Sequence, residues 1–297
     1  MNSSPLAQSD VSLSPPLAVT RSHLLSAAPD VVHGITGRQP GLGRADGNIG
    51  YSAPRDVDDA WQMRQRWCGA IGVAAERLVT AGQVHGTTIR HVRRDNAGSG
   101  AKPGAAQIGD ADALMTDEAG VVLMTLHADC VPIFLVDPKR PAITVVHAGW
   151  RGTVGDIAGL AIQAMGTSFG SQPTDILAFL GPAIGPCCYE VGDEVATAWH
   201  ATGADGEAER VLRPTGERWH FNLHAANALL LARAGLPMHH LETSPVCTRC
   251  AAERWFSHRG QGGATGRFGA IISLRDDCPG AAPELSESGA AWHLQQP

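Results

Sequence analysis

The stretch "VVLMTLHADCVPIFLVDPKRPAITVVHAGWRGT", residues 121–153, decides how the rest of the chain is read. It holds three apolar runs, "VVLMTLHADC", "VPIFLVDP" and "AITVVHAG", with Asp137-Pro138 marking the turn between the second and third. Short, nearly continuous apolar runs bounded by turn residues predict strands buried on both faces. From Thr153 onward the period changes. Val154, Ile157, Leu160, Ala161, Ala164 and Met165 fall on one face of a helix.

Working outward, "RLVTAGQVHGTTIRHV" predicts two short β segments around Gly82–Gly86, and "DILAFLGPAIG" and "RFGAIISL" predict two later strands. "NLHAANALLLARAG" predicts a helix, with Asn222 as N-cap and Gly235 as its stop. Strands and helices interleave without a break in composition, so one α/β domain is expected over residues 22–276. Its first strands are joined too tightly for helical crossovers, so the sheet need not be all parallel. The Ser/Pro-rich residues 1–21 and the segment 277–297 are expected to be disordered tails.

Of the 297 residues, 43% are hydrophobic and 18% charged, with a net charge of −6, which gives no electrostatic footprint for nucleic acid or an anionic membrane. No apolar run approaches a membrane span, and the N-terminus lacks the basic start and apolar core of a secretory signal. A cytoplasmic location is therefore expected, and the seven cysteines are expected to be thiols, free to serve as ligands or nucleophiles.

Three polar residues stand where apolar strands give way to bends: His85 in "QVHG", Cys130 in "LHADCVP" and His147 in "VVHAGW". Two imidazoles and a thiolate make a three-ligand set for zinc with one position open, and zinc held this way activates water near neutral pH. The same residues also fit a metal-free reading, with Cys130 as nucleophile, His147 as its base, and Asp129 or a backbone amide helping. Arg151, just ahead of the helix expected from Thr153, with flexible Gly149 and Gly152 beside it, offers a seat for phosphate or carboxylate. Pairing with a structural aspartate is the alternative for this arginine. Trp150 is expected to pack at the core edge. "CTRC" at 247–250 is a single C-x-x-C without a second pair, and a structural role is expected for it. "CC" at 187–188 lies in a Gly/Pro-rich loop that leads into a helix.

Taken in order, "AGQVHGTTI", "ADALMTDEAGVVLMTLHADCVPIFLVDP", "VVHAGWRGT", "LGPAIGPCCYEVGDEV" and "GRFGAIISL" resemble the laccase-domain family, once called multicopper polyphenol oxidases and including the YfiH-type proteins, over residues 32–274. The resemblance implies a single unit of layered mixed sheets with outer helices. It implies zinc, or copper, on a His, a Cys and a His, which fall on His85, Cys130 and His147. It further implies purine nucleoside phosphorolysis (adenosine, inosine, methylthioadenosine) and adenosine deamination, with nucleoside and phosphate as partners. Phenol oxidation by copper and editing of a peptidoglycan precursor by a Cys-His hydrolase are the alternatives it carries. A coupled multicopper site needs recurring H-x-H pairs, which the 13 histidines do not form. The chain departs from the family pattern at His127, three residues before the ligand cysteine, where another ligand could enter. It departs again at "FSHRG", which keeps Arg259, and at "GITGR", which keeps Arg38 as a substrate- or phosphate-binding residue.

Overall fold

The computed structural model describes residues 16–52, 56–203 and 208–276. Among these residues thirteen strands are present: β1 (Val31–Ile35), β2 (Leu78–Val79), β3 (Ile89–His91), β4 (Ala113–Thr116), β5 (Val122–His127), β6 (Val131–Asp137), β7 (Ala142–Ala148), β8 (Leu177–Leu180), β9 (Glu190–Val191), β10 (Leu212–Thr215), β11 (Arg218–Phe221), β12 (Leu241–Thr243) and β13 (Phe268–Leu274). The α-helices are α1 (Val57–Ile71), α2 (Trp150–Val154), α3 (Ile157–Phe169), α4 (Asp193–His200), α5 (Ala208–Val211) and α6 (Leu223–Arg233). The strands form a six-stranded sheet in the order β12-β8-β6-β7-β4-β3, a four-stranded sheet in the order β1-β13-β5-β2, and a three-stranded sheet in the order β10-β11-β9. Both larger sheets are mixed, because β3–β4, β8–β12 and β2–β5 pair parallel and the other neighbours antiparallel.

The alternation of side chains along each strand explains the layers. In β6, Ile133 and Leu135 face a core shared with Ile157, Ala161 and Met165 of α3 and Leu230 of α6. Phe134 and Val136 face the opposite way, into a second core with Leu123 of β5 and Phe268 and Ile272 of β13. Beyond that sheet, Val122, Met124 and Ile271 pack on Met63 and Trp67 of α1. The order of layers is therefore α1, four-stranded sheet, six-stranded sheet, and α3 with α6. The strands in the middle are covered on both faces, which is why the decisive stretch reads as unbroken apolar runs.

Helix α1 shows how local sequence sets an element. The Asp56 carboxylate accepts the amides of Asp58 and Asp59, and Gly72, at φ 98°, closes the far end. Asn222 caps α6 through the Ala225 amide, and Gly235 adopts φ 95° just beyond its end, as expected from sequence.

The helix after His147 differs from expectation. It begins at Trp150 rather than near Thr153, stops after five residues, and restarts at Ile157 behind Asp156, which sits at φ 59° and caps α3 through the Gly159 amide. The phase of Val154 is not carried across this break. The buried face of α3 is Ile157, Ala158, Ala161, Ile162 and Met165, while Leu160 is exposed. Arg151 therefore lies inside the short helical turn, and the cap of the long helix is elsewhere.

Residues 1–15 and 277–297 of the expected tails lie outside the described residues. Just before position 22, Thr20 pairs with Ile35 of β1 by two backbone hydrogen bonds of 3.0 and 2.8 Å. Among the described residues no helix is long and apolar enough to cross a membrane.

Candidate metal centre and cleft

Strands β5 and β6 belong to different sheets, so the turn between them crosses from one layer to the other. Asp129 makes that crossing at φ 89° and Cys130 follows it. His147 stands one residue before the end of β7, opposite Pro132 of β6, on the face turned toward the four-stranded sheet. His85 arrives from the loop between β2 and β3. The ligand atoms of His85, Cys130 and His147 all lie within 4.8 Å of one another. His147 is buried, Cys130 half-buried and His85 exposed, so the group opens toward solvent on one side.

Asp112 organises this group, and sequence reasoning missed it. Its carboxylate is fully buried and lies 2.8 Å from His147 Nδ1. It also accepts the amides of Val84 at 3.2 Å, His85 at 3.1 Å and Gly86 at 2.7 Å. These bonds hold the 84–86 turn, in which His85 takes φ 61°, a left-handed conformation uncommon for residues other than glycine. With Nδ1 directed to the carboxylate, His147 presents Nε2 to Cys130, the arrangement found around histidine metal ligands. Burial would raise Asp112, but the hydrogen bond from His147 and those from the amides hold its carboxyl below the usual range. The only sequence signal for this role was an acidic residue at the entry to the apolar run of β4.

The electrostatics follow from the same contacts. Burial alone would raise the Cys130 thiol; the charge and hydrogen bond of His147, joined by His85, outweigh it and bring the thiol down to about 6. Burial alone would lower His147; the Cys130 sulfur and Asp112 outweigh it and raise the imidazole to about 9. A thiol that ionises readily beside two imidazoles suits a soft or borderline cation.

Gly149 supplies the space. A Cβ there would lie 3.0 Å from Cys130 Sγ and 3.0 Å from His85 Cδ2, so any larger residue crowds two of the three donors. Gly152 lets α2 approach the 84–86 turn, since a Cβ there would stand 3.1 Å from the Gly86 carbonyl oxygen. The donor set, the carboxylate behind His147 and the room kept by Gly149 fit a zinc-type ion with three protein ligands.

His127 does not join the ligands. Its ring is wholly buried, with Nδ1 3.1 Å from the Cys130 carbonyl oxygen, Nε2 2.8 Å from Thr125 Oγ1, and Phe268 stacked on it. It braces the backbone of Cys130 from behind. Burial and the nearby His147 keep it well below the ordinary histidine value, so it is neutral. Asp129 is not the partner of His147 either: its carboxylate accepts Thr248 Oγ1 at 2.6 Å and the Arg259 amide at 2.7 Å.

The three residues form the floor of a cleft of about 580 Å³. Ile184, Tyr189 and Leu223 give it apolar walls; Arg151, Arg259 and His258 give it a basic rim. Arg151 lies 4.3 Å over the Trp150 ring and forms no ion pair among the described residues, so the aspartate-paired alternative is not what the fold adopts. Trp150 is half-buried and serves as the platform for that guanidinium. Arg38 is placed away from this cleft. It pairs with Asp46 at 2.8 Å and donates to the Ala252 carbonyl at 2.7 Å, beside a separate hollow.

Residues 32–275 match the family described as multi-copper polyphenol oxidoreductase laccase. The chain is 38% identical over 250 residues to purine nucleoside phosphorylase YlmD of Geobacillus stearothermophilus, covering 83% of this chain and 91% of the relative. It is 33% identical over 243 residues to adenosine deaminase RL5 from an unknown prokaryotic organism, covering 80% and 92%. The crystal structure of YlmD from G. stearothermophilus superposes with a TM-score of 0.79 at 37% identity, covering 84% of this chain and 93% of that one.

Proposed function

The chain belongs to the multi-copper polyphenol oxidoreductase laccase family, and from that premise we propose that it is a purine nucleoside enzyme which cleaves adenosine, inosine or methylthioadenosine with phosphate and deaminates adenosine. The observation that carries this reading is the coincidence, in one cleft, of the His85–Cys130–His147 group and an Arg151 that forms no ion pair among the described residues. An enzyme of this kind needs an electrophilic centre and an anion seat side by side.

His85, Cys130 and His147 would hold a zinc ion, which supplies a Lewis acid at the cleft floor. Arg151, fixed on Trp150, reaches for the phosphate oxygens, and Arg259 adds positive charge at the same rim. Tyr189, Ile184 and Leu223 enclose the base and exclude water from one side of it. In phosphorolysis a phosphate oxygen bonds to C1′ of the ribose while the C1′–N9 bond breaks, and the purine departs with the electron pair and takes up a proton. His258 lines the same cleft outside the ligand group and is the histidine free to deliver that proton. In deamination a water oxygen bonds to C6 of the adenine while the bond from C6 to the exocyclic nitrogen breaks, the water proton passes to His258, and His258 returns it to the nitrogen that leaves as ammonia.

The metal-free alternative, with Cys130 as nucleophile, is favoured by one observation: His147 bridges Cys130 and Asp112 as a base bridges nucleophile and carboxylate in a triad. Coupled copper oxidation of phenols has less support, since the group at the cleft is the one histidine-bearing cluster of possible ligands among the described residues.

Incubation of the purified protein with adenosine, with and without phosphate, followed by chromatography of the products, tests the reading. Adenine and ribose 1-phosphate are expected only with phosphate, and inosine in either case. No turnover by zinc-replete protein would overturn it. Full activity after zinc removal would transfer the chemistry to Cys130 as nucleophile, and full activity of Cys130→Ala would remove the cleft from both readings.

A further inference from the structure

A second cluster of four thiols lies apart from the cleft floor. Strands β8 and β12 pair in parallel, so the segments that follow them leave the same end of the sheet. The pairing continues as a parallel bridge between Ala183 and Cys247, and the Thr248 amide donates to the Ala183 carbonyl at 3.0 Å. This brings "GPCC" onto "CTRC". The sulfurs of Cys187, Cys188, Cys247 and Cys250 all lie within 4.8 Å of one another, with Cys187–Cys250 at 3.6 Å and Cys188–Cys250 at 3.4 Å. All four are free thiols.

We propose that these four cysteines form a structural zinc site. Four sulfurs around zinc, at about 2.3 Å from the metal, stand about 3.8 Å apart; two of the pairs here lie at 3.6 and 3.4 Å and all lie within 4.8 Å, so small side-chain rotations reach that geometry. The set holds no carboxylate or imidazole, which selects a thiophilic ion over magnesium or calcium. The Gly185 amide donates to Cys247 Sγ at 3.2 Å, a bond that stabilises sulfur as thiolate. Gly185 also keeps the two loops close, since a Cβ there would crowd Cys247 Cβ at 3.1 Å and touch Cys187 Sγ at 3.4 Å. Four protein donors close the coordination sphere, so this site binds without catalysing, in contrast to the three-donor group of the cleft.

The site's role follows from what the two loops carry. The first brings Ile184 and Tyr189 to the cleft wall. The second brings Thr248, whose hydroxyl holds the Asp129 carboxylate next to Cys130. Each loop lacks a long strand of its own to fix it here, and a metal tie supplies the missing constraint. This inference stands apart from the purine nucleoside reading, because the metal content of the cluster is read without turnover.

Zinc analysis of the protein as isolated under reducing conditions is expected to give two ions per chain. Cys130→Ala is expected to retain one, Cys187→Ser/Cys250→Ser to retain one, and the triple variant none. Cobalt loading of Cys130→Ala keeps the test valid even if the double variant fails to fold: it should give the intense thiolate charge-transfer bands of a four-sulfur tetrahedral site. A single zinc in the wild type that disappears in Cys130→Ala would overturn the proposal. So would Cys187–Cys250 or Cys188–Cys250 disulfides in freshly reduced protein, or a cobalt spectrum without thiolate bands.

Discussion

Asp112, immediately before β4, and His147, on the neighbouring strand β7, sit 2.8 Å apart, carboxylate to Nδ1, and the His147 amide also donates to the Asp112 carbonyl at 2.7 Å. Backbone and side chain thus fix the same pair, and the imidazole has one orientation open to it. The carboxylate further holds the turn that carries His85, so a single buried acid positions two of the three donors.

Asp112→Asn should therefore damage the site more than the fold. A drop of about 10- to 100-fold in zinc affinity and in kcat/KM is expected, the range for carboxylates behind histidine ligands. Zinc titration against a chelating indicator and nucleoside kinetics measure both. Unchanged affinity and rate would show that Asp112 serves only the turn.

Gly149→Ala places a methyl group 3.0 Å from Cys130 Sγ and His85 Cδ2. Gly149 has φ −79°, so the backbone tolerates alanine, and the effect should be confined to the donors. Zinc binding at the cleft is expected to weaken at least about tenfold while the melting temperature moves by only a few degrees. A variant with native zinc affinity would mean that the donors have slack.

Arg151→Gln should raise the KM for phosphate by roughly tenfold or more, the value of one charge-assisted hydrogen bond, with a smaller effect on the KM for nucleoside. Arg151→Lys should recover part of the loss, because it keeps charge but not the planar fork. Phosphate saturation curves at fixed adenosine separate the two. An unchanged phosphate KM would place the anion elsewhere in the cleft.

His33 makes stability depend on pH. It is buried in β1 beside Phe134, and its Nε2 accepts the Ser22 amide at 2.9 Å. Burial, aided by the Arg21 charge, lowers it to about 4 from the ordinary 6.5. The unfolded chain takes up a proton that the native state refuses. Stability from this group is complete above pH 6.5 and is lost as pH falls toward 4, by up to about 3 kcal/mol. Urea midpoints measured from pH 7.5 down to 4.5 should fall in the wild type and fall less in His33→Gln. Equal slopes would assign the acid loss to other groups.

Much of this architecture is legible in the sequence. Strands β5, β6 and β7 are covered on both faces, so their sequences are continuously apolar, and a polar residue at the end of such a run stands out. That contrast singled out Cys130 and His147; His85 was expected at a strand end too, but it lies in the loop between β2 and β3. Asp112 gave no comparable signal, because an acidic residue ahead of a strand is common and its partners come from other segments. The short helix also escaped, since five residues carry too little periodicity, and the break at Asp156 reset the phase. Arg38 matched a motif, yet its nearest acid, Asp46, is only eight positions away and engages its guanidinium outside the cleft.

The sequence by itself determined the buried strands β5, β6, β7, β8 and β13, the polar Cys130 and His147 beside them and the glycines that follow His147, because burial on both faces and the need for close approach leave local marks. Tertiary structure alone decided what those residues do together. The β5–β6 turn crosses between sheets and sets Cys130 between two histidines, and the parallel pairing of β8 with β12 joins cysteines as far as 63 positions apart. Which segments meet is fixed by the order of strands in a sheet. That order depends on the packing of all the layers at once, and it leaves no mark in any one stretch of chain.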